Sequence, residues 1–167
     1  AIAINSNFEP LLLAGDSLLF HDRAGVSTST TALSAWGLRA LEPPMAFASK
    51  EALLALGQLS EDGAEAAQHD VPQLLRCHIT TSACEPFSSQ LTERHIDSFA
   101  INSVDGSLLL ADSAAGELLK VDDAGQVVVS ATVALPQRPV LRLNGGLLLI
   151  NSTAGPAISV YRYEDES

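Results

Sequence analysis

A chain of 167 residues is the length of one ordinary domain, long enough to bury a core. Its 20 Asp and Glu outweigh 9 Lys and Arg, for a formal charge of -11, and the nine cations are scattered. Nucleic-acid affinity rests on clustered Lys and Arg, so a phosphate-binding surface is excluded; no stretch approaches the roughly 20 apolar residues that span a bilayer as a helix.

The chain opens on Ala1 with neither Met nor a basic-then-apolar leader, the reading being a processed product or an excised piece. Ala3-Ile4-Asn5-Ser6 and Leu11-Leu12-Leu13-Ala14 are short apolar runs separated by turn residues, which predicts a hairpin. Leu18-Leu19 leads into Asp22-x-Ala24-Gly25, a second turn signal. Ser34 to Leu41 carries at most a turn of helix in a linker that Pro43-Pro44 closes. Leu53 onward has no sustained helical period, and residues 60–72, acidic, Ala-rich and Gly-containing, read as an inserted loop or short helix. Leu74-Leu75-Arg76-Cys77 follows as a strand.

The opening phrase then returns. Ala100-Ile101-Asn102-Ser103 and Leu108-Leu109-Leu110-Ala111 repeat it, and both matches read in one register. Val104-Asp105-Gly106 is the turn between them; Asp-Gly between apolar runs is a strong hairpin signal. Leu118-Leu119-x-x-Asp122-x-Ala124-Gly125 repeats the second turn, and Gln126 to Thr132 completes four strands in about 40 residues. Gly145-Gly146-Leu147-Leu148-Leu149 starts a last copy that runs short of a fourth strand before the charged tail Glu164-Asp165-Glu166-Ser167.

Four-stranded units at that spacing are the pattern of a β-propeller, here an all-β, propeller-like domain of about four blades, incomplete or small. The units are about 1–33, 45–89, 96–133 and 138–163, with the insertion at 60–72. At Val104 to Ser113 and Leu118 to Gly125 the chain resembles NHL-type repeats, well over 96–133, fairly over 138–163 and only in degenerate form before that. That resemblance implies a scaffold for binding proteins, RNA or small molecules, or in a minority an enzyme such as a lactonase. Fold likeness alone does not transfer function.

The chemistry-bearing residues are few. Cys77 and Cys84 flank Ile79 to Ala83 as cross-strand neighbours, which predicts a disulfide and an oxidising compartment, periplasmic or extracellular. His21-Asp22, His69-Asp70 and His95-x-Asp97 set imidazoles beside carboxylates, at spacings that match no metal motif. In a channel site the residues to test would be His95, Asp97 and Asn102, holding a divalent metal; the reading preferred here has no cofactor. Asp105, Asp122 and Asp123 are turn residues rather than calcium ligands. Trp36, Arg39 and Met45 form the one cluster of residue types favoured at binding hot spots. The expected function is therefore a non-catalytic binding module, an extracytoplasmic propeller segment presenting loops to a protein or small molecule. It would be tethered through segments outside these residues or form the soluble part of a membrane-associated protein, with self-association through uncovered blade faces. A metal-dependent lactonase-like hydrolase is the alternative.

Overall fold

The computed structural model describes residues 1–60, 71–144, 147–152 and 155–162. They form four antiparallel sheets with strands in chain order. The first holds β1 (Ile2–Ile4), β2 (Pro10–Ala14), β3 (Ser17–His21) and β4 (Ser27–Ala32). The second holds β5 (Leu38–Phe47), β6 (Ala52–Leu59), β7 (Gln73–His78) and β8 (Ala83–Pro86). The third holds β9 (Ile96–Ile101), β10 (Leu108–Asp112), β11 (Glu117–Val121) and β12 (Val127–Thr132). The fourth holds β13 (Pro139–Asn144), β14 (Leu147–Ser152) and β15 (Gly155–Arg162), with no fourth strand among the described residues. Each sheet is one blade, and the architecture is a four-blade β-propeller. The chain divides into two compact units, 1–92 and 93–167, with two blades in each.

Turn chemistry repeats at the level of single hydrogen bonds. In the first unit the Asp22 carboxylate accepts the N–H groups of Ala24 and Val26, both at 2.9 Å, and in the second the Asp122 carboxylate accepts that of Gln126 at 2.8 Å. Gly25 and Gly125 close the two turns at φ 80° and 83°, a conformation in which a Cβ would be strained.

In the first unit, Ala3, Leu11 and Leu18, with Leu13 and Phe20 beside them, pack against Leu41, Met45, Leu53, Ala55, Leu75 and Cys77. Paired residues show why these side chains share a face: Ala3 sits opposite Leu11, Leu11 opposite Phe20 and Leu13 opposite Leu18. In the second unit Leu109 and Ala111 pack against Leu141, Leu148 and Ile150. A buried polar bond joins the same two sheets, the Leu141 N–H donating to Ser98 Oγ at 3.2 Å. Fully burying a leucine is worth about 1.5–3 kcal/mol, so these facing leucines supply most of the adhesion between blades.

Two sequence expectations shift. The opening repeat is not in one register: Ala3 pairs with Leu11, but Ala100 pairs with Leu109 rather than Leu108. The loop between β9 and β10 is one residue longer than that between β1 and β2, so Leu12 corresponds in space to Leu110. In a strand a slip of one residue exchanges the two faces. Residues 38–44, read as linker, belong instead to β5, and the helical turn of that linker is the 3-10 turn Leu33–Trp36. Pro43 and Pro44 are tolerated because β5 lies at a sheet edge and the ladder skips them, passing from Glu42–Leu56 to Met45–Ala55. Of the insertion, residues 61–70 with His69 and Asp70 lie outside the described residues, as does the acidic tail.

The edge strands differ in character. β4 is Ser, Thr and Ala throughout, whereas β12 begins with Val127, Val128 and Val129, of which the last two are exposed.

Candidate functional site

A cleft of about 740 Å³ lies in the first unit, where the connection between its two blades meets the neighbouring loops. The chain leaves β4 at Ala32, makes the 3-10 turn and reverses at Gly37, whose φ of 68° lets its N–H bond back to Ser34. Backbone bonds fix this turn at both ends. Leu33 donates to the Asp16 carbonyl at 2.8 Å, and Ser60 donates to the Gly37 carbonyl at 2.8 Å. Below it, Trp36 is buried and stacks on Phe20, with ring centroids 6.0 Å apart and planes at 23°. Trp36 Nε1 and His21 Nδ1 are enclosed without a hydrogen-bond partner in the described structure.

Leu33, Leu38, Leu59 and Pro86 give the cleft an apolar floor, and Asp16, Ser34, Arg39, Gln58, Ser60, Gln73 and Thr92 supply its polar groups. One carboxylate, one guanidinium, two carboxamides and several hydroxyls can donate and accept hydrogen bonds, over a surface that also accepts apolar groups. None of these side chains is an imidazole or a thiol. Of the three residues expected to bind a partner, Arg39 lines the cleft, while Trp36 and Met45 are core packing residues.

Cys77 and Cys84 pair across β7 and β8 and form a disulfide, with Cα atoms 4.0 Å apart. Next to it on the ladder, Arg76 lies over the Phe87 ring at 4.7 Å.

In the second unit His95 Nε2 lies 3.2 Å from Asp97 Oδ1, and Asp97 Oδ2 accepts the Ser113 N–H at 2.9 Å. Asn102 stands beyond the other end of β9, about 16 Å along an extended chain from Asp97. There it caps a hairpin, its Oδ1 accepting the Val104 N–H at 3.1 Å. The structure therefore brings His95 and Asp97 together but keeps Asn102 apart. Among the described residues no three His, Cys, Asp or Glu side chains gather as a metal site.

Sequence reasoning missed a network beside that pair. Arg94 bonds Glu117 and lies 3.6 Å from the buried Asp112, whose Oδ1 also accepts the Ala115 N–H at 3.0 Å. The bond to Glu117 raises the Arg94 pKa against the opposing effect of burial. A carboxylate closing the apolar run Leu108 to Ala111 was the available signal, since a buried acid needs a partner. On the next hairpin Asp105 accepts from Ser107 N at 2.9 Å and Ser107 Oγ at 2.6 Å, with Lys120 at 3.3 Å. The Ser107 hydroxyl bond, ahead of Lys120, holds the Asp105 carboxyl below the usual carboxylate range.

The sequence matches no family model and no curated protein. Its likeness is to solved propellers. The nidogen of a nidogen/laminin complex superposes with a TM-score of 0.65 at 11% identity, over 97% of this chain and 58% of that one. The β-propeller domain of Cps50 (Swd1) from Myceliophteria thermophila gives 0.59 at 18% identity, over 90% and 47%. BamB from Moraxella catarrhalis gives 0.54 at 11%, over 98% and 46%. The fold is a propeller's, and the chain spans about half the length of these proteins.

Proposed function

We propose that this chain is a non-catalytic interaction module, an extracytoplasmic propeller segment of NHL-like type, whose first-unit cleft receives a protein side chain or a small molecule. The observation that carries the reading is the cleft's make-up: an apolar floor ringed by Asp16, Arg39, Gln58 and Gln73, on a turn fixed by backbone bonds at both ends. Rigidly held loops with mixed polarity recognise ligands without ordering costs at the moment of binding. Nidogen, one of the similar propellers, was solved in a complex with laminin, and a role in holding a protein partner fits the same architecture. The Cys77–Cys84 disulfide supports an oxidising compartment.

The test is a thermal-shift screen of peptides and small polar molecules on the whole chain, repeated on Arg39→Ala and Gln73→Ala. A ligand that raises the wild-type melting temperature and loses that effect in both variants supports the reading. Ligands unaffected by either variant would remove the cleft from it, and turnover of a screened ester or lactone would replace a binding role with an enzymatic one.

A further inference from the structure

The first blade has one covered face and one bare one. Ile2, Ile4, Leu12 and Leu19 share the side opposite the core of the first unit, since Ile2 pairs with Leu12 and Leu12 with Leu19. Ile2 and Ile4 are 55% and 56% exposed, and the two leucines are half-buried. Their counterparts in the third blade, matched through strand pairing, are Phe99, Ile101, Leu110 and Leu119. Phe99 is 3% exposed and both leucines are at 0%. The same surface of the repeat is thus covered in one copy and open in the other.

The fourth blade is bare on its own second side. Leu141, Leu148 and Ile150 face the third blade, while Leu147, Leu149 and Val160 share the opposite face, Leu149 pairing with Val160. Leu147 is 45% and Val160 59% exposed. In this repeat, blades adhere by laying one such aliphatic face on another.

We propose that the bare face of the first blade docks onto the bare face of the fourth blade in a second copy of this chain, and reciprocally, to give a twofold pair. With two copies, contact between unlike patches closes only if each copy makes it in return. Area favours that closure. Four strands about five residues long in the first blade, or three strands of six or more residues in the fourth, spaced about 4.8 Å apart at about 3.3 Å per residue, cover roughly 300 Å² per face. A single contact then removes about 600 Å², the size of incidental packing, while two remove about 1,200 Å², where specific interfaces begin. Two of the solved propellers this chain resembles, that of Cps50 (Swd1) and BamB, are about twice its length, as a pair of copies would be. The inference does not depend on the cleft or on what it binds.

Sedimentation equilibrium and light scattering on the whole chain, from about 1 to 200 μM, test it. The expected species is a dimer of the 17.5 kDa chain. Ile4→Glu and, separately, Val160→Glu should each give monomer with an unchanged circular dichroism spectrum, while Val104→Glu, at an exposed turn on neither face, leaves the dimer intact. Leu147→Glu repeats the test of the fourth blade should Val160→Glu misfold, and Ile2→Glu does so for the first. A wild-type monomer across the range overturns the inference and leaves these faces to blades elsewhere in a longer polypeptide or to an unrelated protein. A dimer that survives both Ile4→Glu and Val160→Glu overturns it equally.

Discussion

Strands β2 and β10 carry nearly the same residues and meet different surroundings. In β10 every residue from Leu108 to Asp112 is buried, whereas in β2 only Leu11 is, with Leu12 and Leu13 half-buried and Ala14 exposed. Buried on both sides, β10 can end in an acid only because Arg94 and the Ala115 N–H meet it. β2 needs no such partner, and its unit relies instead on the Trp36–Phe20 stack and a disulfide. The same sequence phrase is therefore a two-sided core strand in one unit and a one-sided strand in the other, and mutational cost should follow burial rather than identity.

The sharpest way to break that comparison is the pair Leu110→Ala and Leu12→Ala, which occupy equivalent positions. Urea unfolding should show a loss of about 3–5 kcal/mol for Leu110→Ala and no more than about half of that for Leu12→Ala. Equal losses would mean that burial does not separate the two copies. Next in size is Cys77→Ser with Cys84→Ser, expected to cost about 2–3 kcal/mol through the denatured chain's regained freedom, with reductant mimicking it in the wild type.

Gly57→Ala should cost about 1–3 kcal/mol by overpacking, because a Cβ there would lie 2.7 Å from the Ala40 carbonyl oxygen and from Leu41 Cδ2. Thermal melts of Gly57→Ala beside Gly15→Ala separate crowding from backbone strain, since nothing lies within 4 Å of a Cβ at Gly15, whose φ is 61°. Smallest is the acid limb at Asp105. Its carboxyl titrates lower in the folded protein than in the unfolded chain, so its contribution is complete above the unfolded value and fades as pH falls through the folded one. In urea melts Asp105→Asn should therefore cost under about 1 kcal/mol at neutral pH, the difference from wild type closing as pH falls through the folded value.

Much of the fold was legible because turns are written in local chemistry. Asp-x-x-Gly at 22–25 and 122–125 and the Cys77, Cys84 spacing all report contacts made within a few residues. The face of each strand was not legible. It depends on the length of the preceding loop, and one added residue before Leu108 moves the whole leucine run across the sheet. The cleft was hidden for another reason: Asp16, Arg39, Gln58 and Gln73 come from separate strand ends, so no local spacing unites them. Trp36 was ambiguous in kind, since a tryptophan beside a glycine suits a binding surface and a buried turn alike, and only its stacking on Phe20 decides between them.

The contrast between β4 and β12 bears on how this chain fares during synthesis and storage. An unpaired strand edge is a template for another chain, and hydroxyl side chains along β4 keep water in competition for its backbone. β12 offers no such guard at Val128 and Val129, so unscheduled fibril-like addition should start there, and Val129→Lys is the substitution that would slow it.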